Sequence, residues 1–160
     1  MPKRGFTLVE LLITVSIIAI LSVIGLVIYT KFIQNARDAK RQADLRSIQS
    51  SLEQYFADQF KYPVKSTSTN DCPSNGGFSI VTGLDCSFKD STGTKTYINI
   101  IPKDPFSSPV NQYRYEALPS GCDNSITNCT SYCLYADLEN LQVTNSCQDL
   151  VGYDMEISPP

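Results

Sequence analysis

The sequence predicts an α+β fold: a long N-terminal α-helix whose second half packs on a small antiparallel β-sheet with disulfide-rich loops. Three observations predict it. Between Phe6 and Tyr29, 18 of 24 residues are apolar. From Ala36 to Phe60, apolar residues recur mostly every three or four positions, the period of one helix face. Beyond Lys65 the chain turns to short alternating segments separated by Pro, Gly, Ser and Asn, and all six cysteines lie there.

The first element is the apolar run. Leu11 to Thr30 gives 20 residues without a charge. As a helix they span about 30 Å, the thickness of a bilayer's hydrocarbon core. The run is too long for a secretory signal, and no small-residue cleavage pattern follows it. Glu10 is the one charge between Arg4 and Lys31. A carboxylate inside an apolar segment is costly unless paired, so Glu10 marks a place where a partner cation would arrive from another molecule.

The helix continues past Lys31. Ala36, Ala39, Ala43, Leu45, Ile48, Leu52, Tyr55, Phe56 and Phe60 form the expected apolar face, and Arg37, Asp38, Lys40, Arg41, Asp44, Arg46, Gln49, Glu53 and Asp58 the polar one. Tyr62-Pro63 stops it. One helix from Phe6 to Phe60 would run roughly 80 Å.

The body follows. Residues 65–77 read as a loop. Thr96–Ile101, Asn111–Ala117, Tyr132–Leu138 and Leu141–Asn145 read as strands, the last two joined by a hairpin turn at Glu139-Asn140. Six cysteines allow 15 pairings. Their separations and the hairpin favour Cys72–Cys86, Cys122–Cys129 and Cys133–Cys147. The closest spacing is C-x3-C, which argues against a zinc site. Asn128-Cys129-Thr130 fits the N-x-T pattern, but its Asn adjoins an expected disulfide.

Composition excludes several classes of function. There is no His and no Trp, so Ser-His and Cys-His catalysis and His-ligated metals are out. The remaining acids and bases show no catalytic spacing, and we expect no enzyme, no cofactor and no metal. A mean hydropathy of −0.13 hides the split between apolar segment and polar body. Residues 1–65 carry nine Lys/Arg against five Asp/Glu, and residues 66–160 carry four against eleven. An acidic body gives no nucleic-acid footprint.

Lys3-Arg4-Gly5-Phe6-Thr7-Leu8-Val9-Glu10 resembles the K/R-G-F-T-L-[IV]-E signal of type IV pilins and pseudopilins. The resemblance implies cleavage after Gly5 by a prepilin peptidase, N-methylation at Phe6, and assembly into a helical filament. There Glu10 of one subunit would neutralise the N-terminal amine of a neighbour. Family members often carry a Pro where this chain has Val27, leaving Gly25 as the weak point of the helix. Ile101-Pro102-Lys103-Asp104-Pro105-Phe106 is similar to the P-x-D-P-[WF] segment of secretion pseudopilins. Their calcium loop has no counterpart, because Gly121–Cys147 holds four cysteines instead. Asp123, Asp137 and Glu139 lack the spacing of a calcium loop and read as solvated turn residues.

The domains expected are a leader at 1–5, an apolar transmembrane or filament-core helix at 6–30, an amphipathic extension at 31–62 and a globular sheet domain at 63–160. Cations flank the apolar run on both sides, and their count alone favours a cytoplasmic C-terminus. The cysteines and the family arrangement favour N-in, C-out in the cytoplasmic membrane, followed by a periplasmic or extracellular filament. The implied partners are further copies of the chain, the prepilin peptidase, an inner-membrane assembly platform, and lipid before assembly. Two alternatives to a pilus subunit remain: a pseudopilin of a type II secretion system, or a monomeric membrane-anchored disulfide-rich binding module.

Overall fold

The structure, a computed structural model, describes residues 5–66, 78, 86–106, 113–140 and 155–160. The chain divides into two compact units, residues 1–36 and 37–160. A single helix, α1 (Leu8–Gln59), contributes to both.

In the first unit every apolar side chain described from Phe6 to Tyr29 is exposed. The hydroxyls of Thr14, Ser16 and Ser22 donate to the carbonyls of Leu11, Leu12 and Ile18 at 2.7–2.8 Å. This back-bonding satisfies the polar groups within the helix, as an apolar surrounding requires.

In the second unit the buried stripe of α1 runs Asp38, Arg41, Leu45, Ile48, Leu52, Tyr55. Its spacings of three and four are those of one helix face. Ala36, Ala39 and Ala43 are exposed, which corrects the expected apolar face at its start. The step from Ala43 to Leu45 breaks the period, whereas counting back from Leu45 by four and then three reaches Arg41 and Asp38. Phe60 is corrected as well. It takes a left-handed conformation (φ 56°) that ends the helix, and it is 82% exposed. Its N–H still bonds to the Phe56 carbonyl at 2.8 Å, and Pro63 follows.

Among the described residues two antiparallel sheets complete the unit. The first joins β1 (Phe88–Lys89) to β2 (Thr96–Ile98). The second has the order β3-β4-β5, with β3 at Arg114–Leu118, β4 at Ser131–Ala136 and β5 at Met155–Ile157. In β3, Tyr115 and Ala117 face the core while Arg114 and Glu116 do not, the period of two seen in the sequence. Tyr115 stands opposite Leu134, and Ala117 opposite Tyr132.

Strand expectations change at two places. Thr96–Ile101 stops at Ile98, because the chain bends at Asn99-Ile100 ahead of Pro102. Ile101 leaves the sheet edge and donates its N–H to the Cys86 carbonyl at 2.7 Å. The expected hairpin partner of Tyr132–Leu138, residues 141–145, lies outside the described residues. Both edges of β4 at Leu134 and Tyr135 are occupied by β3 and β5, so the hairpin register is replaced there by Glu156 and Ile157.

The core lies between α1 and the sheets. Tyr55, Phe78, Phe88, Tyr115, Tyr132 and Tyr62 form a chain of ring contacts with centroids 4.7–6.1 Å apart. Edge-to-face and tilted pairs suit the ring quadrupoles. Four of the buried tyrosines donate their hydroxyls to acceptors in the same unit. Tyr113 donates to Asp44 at 2.9 Å and Tyr115 to the Pro63 carbonyl at 2.7 Å. Tyr62 and Tyr132 both donate to Glu53, at 3.0 and 2.8 Å.

Burial raises the pKa of each of these four tyrosines, and the carboxylate beside Tyr62, Tyr113 and Tyr132 raises it further. The folded state therefore favours the neutral phenol. Its contribution to stability is complete below the ordinary tyrosine value near 10 and is lost as pH rises beyond it. We expect an absorbance titration of the detergent-solubilised chain to show these phenols ionising only together with loss of the near-UV circular dichroism signal. Ionisation of every tyrosine near pH 10 with the tertiary signal intact would contradict this.

Candidate functional site

The chain enters α1 through Gly5, Phe6 and Thr7, none of them helical. Thr7 is the N-cap. Its Oγ1 accepts the Glu10 N–H at 3.3 Å and donates to Glu10 Oε2 at 2.7 Å, and the Thr7 N–H donates to the same oxygen at 2.9 Å. A hydroxyl and a carboxylate three residues apart thus each receive the other's N–H, which is a capping box. Its sequence signal, Thr-x-x-Glu at 7–10, is missed when Glu10 is read by its charge alone.

Among the described residues, no hydrogen bond to this cap comes from outside Thr7–Leu11. Phe6 is 83% exposed. A Cβ built on Gly5 would meet nothing within 4 Å, and its backbone is not left-handed. The folded chain itself therefore sets no demand for glycine at this position. Gly25 is equally open. The helix that follows is long and apolar enough to cross a membrane.

The basic stretch of α1 behaves differently from the sequence expectation. Arg41 is fully buried and holds three carboxylates. Its Nε and Nη2 donate to the two oxygens of Asp104 at 2.8 and 3.1 Å, and its Nη1 donates to Asp38 at 2.7 Å and Glu139 at 3.0 Å. Arg37 forks onto both oxygens of Glu139 and lies over the Phe106 ring, 5.4 Å from its centroid. Asp38 also accepts the backbone N–H groups of Glu139 and Asn140, each at 2.9 Å.

Burial alone would lower the Arg41 pKa, but hydrogen bonds and charge from Asp104, Glu139 and Asp38 outweigh it and raise the value. The Arg37 hydrogen bond in turn holds Glu139 below the ordinary carboxylate range. Glu139 is thus an ion-pair residue, which corrects its reading as a solvated turn residue. Asp104 brings the Pro102–Phe106 segment to the helix, a role its flanking prolines do not announce.

Asp123 organises the loop before β4. Its Oδ1 accepts the N–H groups of Ser125, Ile126 and Thr127 at 2.8–3.1 Å, and these bonds lower its pKa strongly. A disulfide joins Cys122 to Cys129 across this loop. Cys86 and Cys133 are also disulfide-bonded. Cys72 and Cys147 lie outside the described residues. Among the described residues no three His, Cys, Asp or Glu side chains group as metal ligands.

Residues 1–26 match the family model described as the prokaryotic N-terminal methylation motif. The chain carries that motif. It is also 29% identical over 74 residues to the type IV major pilin protein PilA of Myxococcus xanthus (strain DK1622). The match covers 46% of this chain and spans about a third of the relative, 34% of its length. No solved structure matches. The two matches support the type IV pilin family, and the motif match spans the residues that carry the resemblance. Gly5, Phe6 and Glu10 all fall within the matched residues. Thr7, bonded to Glu10 between them, belongs to the same segment.

Proposed function

We propose that the chain is the structural subunit of a type IV pilus-like filament. It is cut after Gly5 by a prepilin peptidase, N-methylated at Phe6 and polymerised through its N-terminal helix. The observation that carries this reading is the coexistence of the methylation motif with an apolar helix whose described apolar side chains between Phe6 and Tyr29 are all exposed. Lipid covers that surface while the subunit waits as a single-pass precursor, N-in and C-out, with 1–5 as its leader and 6–30 as its membrane segment. Neighbouring copies cover it after assembly, when an inner-membrane platform moves the subunit into a filament. Residues 31–62 then connect to the sheet domain at 63–160.

Two features support the division of labour. The open surroundings of Gly5 put the demand for glycine on an external binder, as expected of a peptidase subsite. Glu10 has no basic side chain among its described hydrogen-bond partners, so its charge is available to the ammonium that cleavage creates at the next subunit's Phe6. The test is the mass of the chain from sheared surface filaments. A chain beginning at Phe6 supports the proposal, and one beginning at Met1 overturns it. An intact chain found only in membranes would instead favour an anchored binding module.

A further inference from the structure

We infer that Thr7 is a positioning residue for the cleavage step, acting by ending the helix before the bond to be cut. The inference rests on the processing reading above and adds a specificity determinant to it. Hydrolysis adds water across the Gly5–Phe6 amide. The C–N bond breaks, Gly5 leaves as the carboxylate of the leader, and Phe6 keeps the nitrogen as an ammonium. A peptidase can engage that amide only where its N–H and C=O are free of helical hydrogen bonds and its flanks are extended.

The structure meets this condition by a narrow margin. Gly5, Phe6 and Thr7 are non-helical and exposed, and α1 starts at Leu8, two residues beyond the bond. What fixes the start is the reciprocal pair of Thr7 and Glu10, with three hydrogen bonds of 2.7–3.3 Å. An N-cap residue has non-helical backbone angles by necessity, so a good cap also acts as a stop for helix growth. Upstream, the next residue suited to cap is Gly5 itself. If the helix is capped there, Phe6 and residue 7 become helical and the amide to be cut becomes the first of the helix.

Cap strength, not side-chain size, then decides how often the bond is presented. Alanine and valine are poor caps, serine and asparagine good ones, and glycine is nearly as good as threonine. A binding-competent fraction that falls raises the apparent dissociation constant in proportion. For Thr7→Ala or Thr7→Val this amounts to about a fivefold rise in KM with kcat unchanged.

The experiment is steady-state cleavage of the full-length chain by a prepilin peptidase in detergent micelles. It uses Thr7→Ser, Thr7→Asn, Thr7→Gly, Thr7→Ala and Thr7→Val. The expected result is near-normal KM for Ser, Asn and Gly, and the fivefold rise for Ala and Val. Glu10→Gln keeps a capping-box partner and should be cut normally. Wild-type KM for Thr7→Ala overturns the inference. So does a Thr7→Gly chain as impaired as Thr7→Ala, because that would make the side chain a direct contact of the peptidase. Failure of the unsubstituted chain to be cut after Gly5 would overturn the processing reading itself.

Discussion

A chain carrying Glu10→Gln is expected to be cut after Gly5 and to accumulate in the membrane, with no filaments on the cell. Gln preserves the shape of the side chain and can serve at the third helical position of a capping box. It cannot neutralise an ammonium. The proposed cleavage would place that ammonium at Phe6, which is 83% exposed and followed by an apolar helix. In an assembled filament the amine would be enclosed by apolar helices and would need a carboxylate. Removing one partner of a buried ion pair costs about 3–5 kcal/mol, chiefly because the other charge stays unpaired. At about 1.4 kcal/mol per tenfold, docking affinity falls at least a hundredfold. Electron microscopy of cells and immunoblots of sheared and membrane fractions would show this. Normal filaments built from the Gln variant would remove Glu10 from assembly.

The second large effect concerns the sheet-bearing unit. Arg41→Met should destabilise it by about 3–5 kcal/mol, because Asp38 and Asp104 would stay buried with their shared cation gone. Arg41→Lys should not rescue it, since an ammonium cannot make the two parallel bonds to Asp104 and also reach Asp38 and Glu139. Adding Asp38→Asn and Asp104→Asn to Arg41→Met should recover part of the loss, because no buried charge then remains unpaired at those two positions. Thermal unfolding of the detergent-solubilised chain, followed by near-UV circular dichroism, gives the comparison. Lys95→Ala, which removes the exposed partner of Asp58, should leave the midpoint in place. A midpoint unchanged in Arg41→Met would mean that the cluster contributes nothing to the fold.

How far these features could be read in advance depends on their range. The α+β class, the long helix and its end near Tyr62-Pro63 follow from local period and local stop signals, and the structure has them. So does the outward and inward alternation of Arg114–Leu118. The charged part of the buried stripe was equally local. Its period runs unbroken from Tyr55 back to Asp38, but burial of an arginine becomes credible only once Asp104 and Glu139 are seen beside it. Those partners come from 63 and 98 residues away, and no pattern within α1 names them.

The sheet shows the same limit. β5 is three residues long, too short for a period, and it takes the edge of β4 that the sequence assigns to 141–145. The expected Cys133–Cys147 bond, favoured by separation and by that hairpin, keeps only the first argument; Cys133 is disulfide-bonded, and Cys147 lies outside the described residues. At the N-terminus the dense motif points to Gly5, Phe6 and Glu10 by resemblance, while the capping box of Thr7 and Glu10 follows from the local Thr-x-x-Glu spacing.

We propose that one chain serves first as a membrane precursor and then, shortened, as a filament subunit. Intact mass and N-terminal fragment spectra of the chain from purified surface filaments test it most directly. The expected polypeptide begins at Phe6, its amine bearing one methyl group. A filament chain that retains Met1, or one cut beyond Thr30, would contradict it.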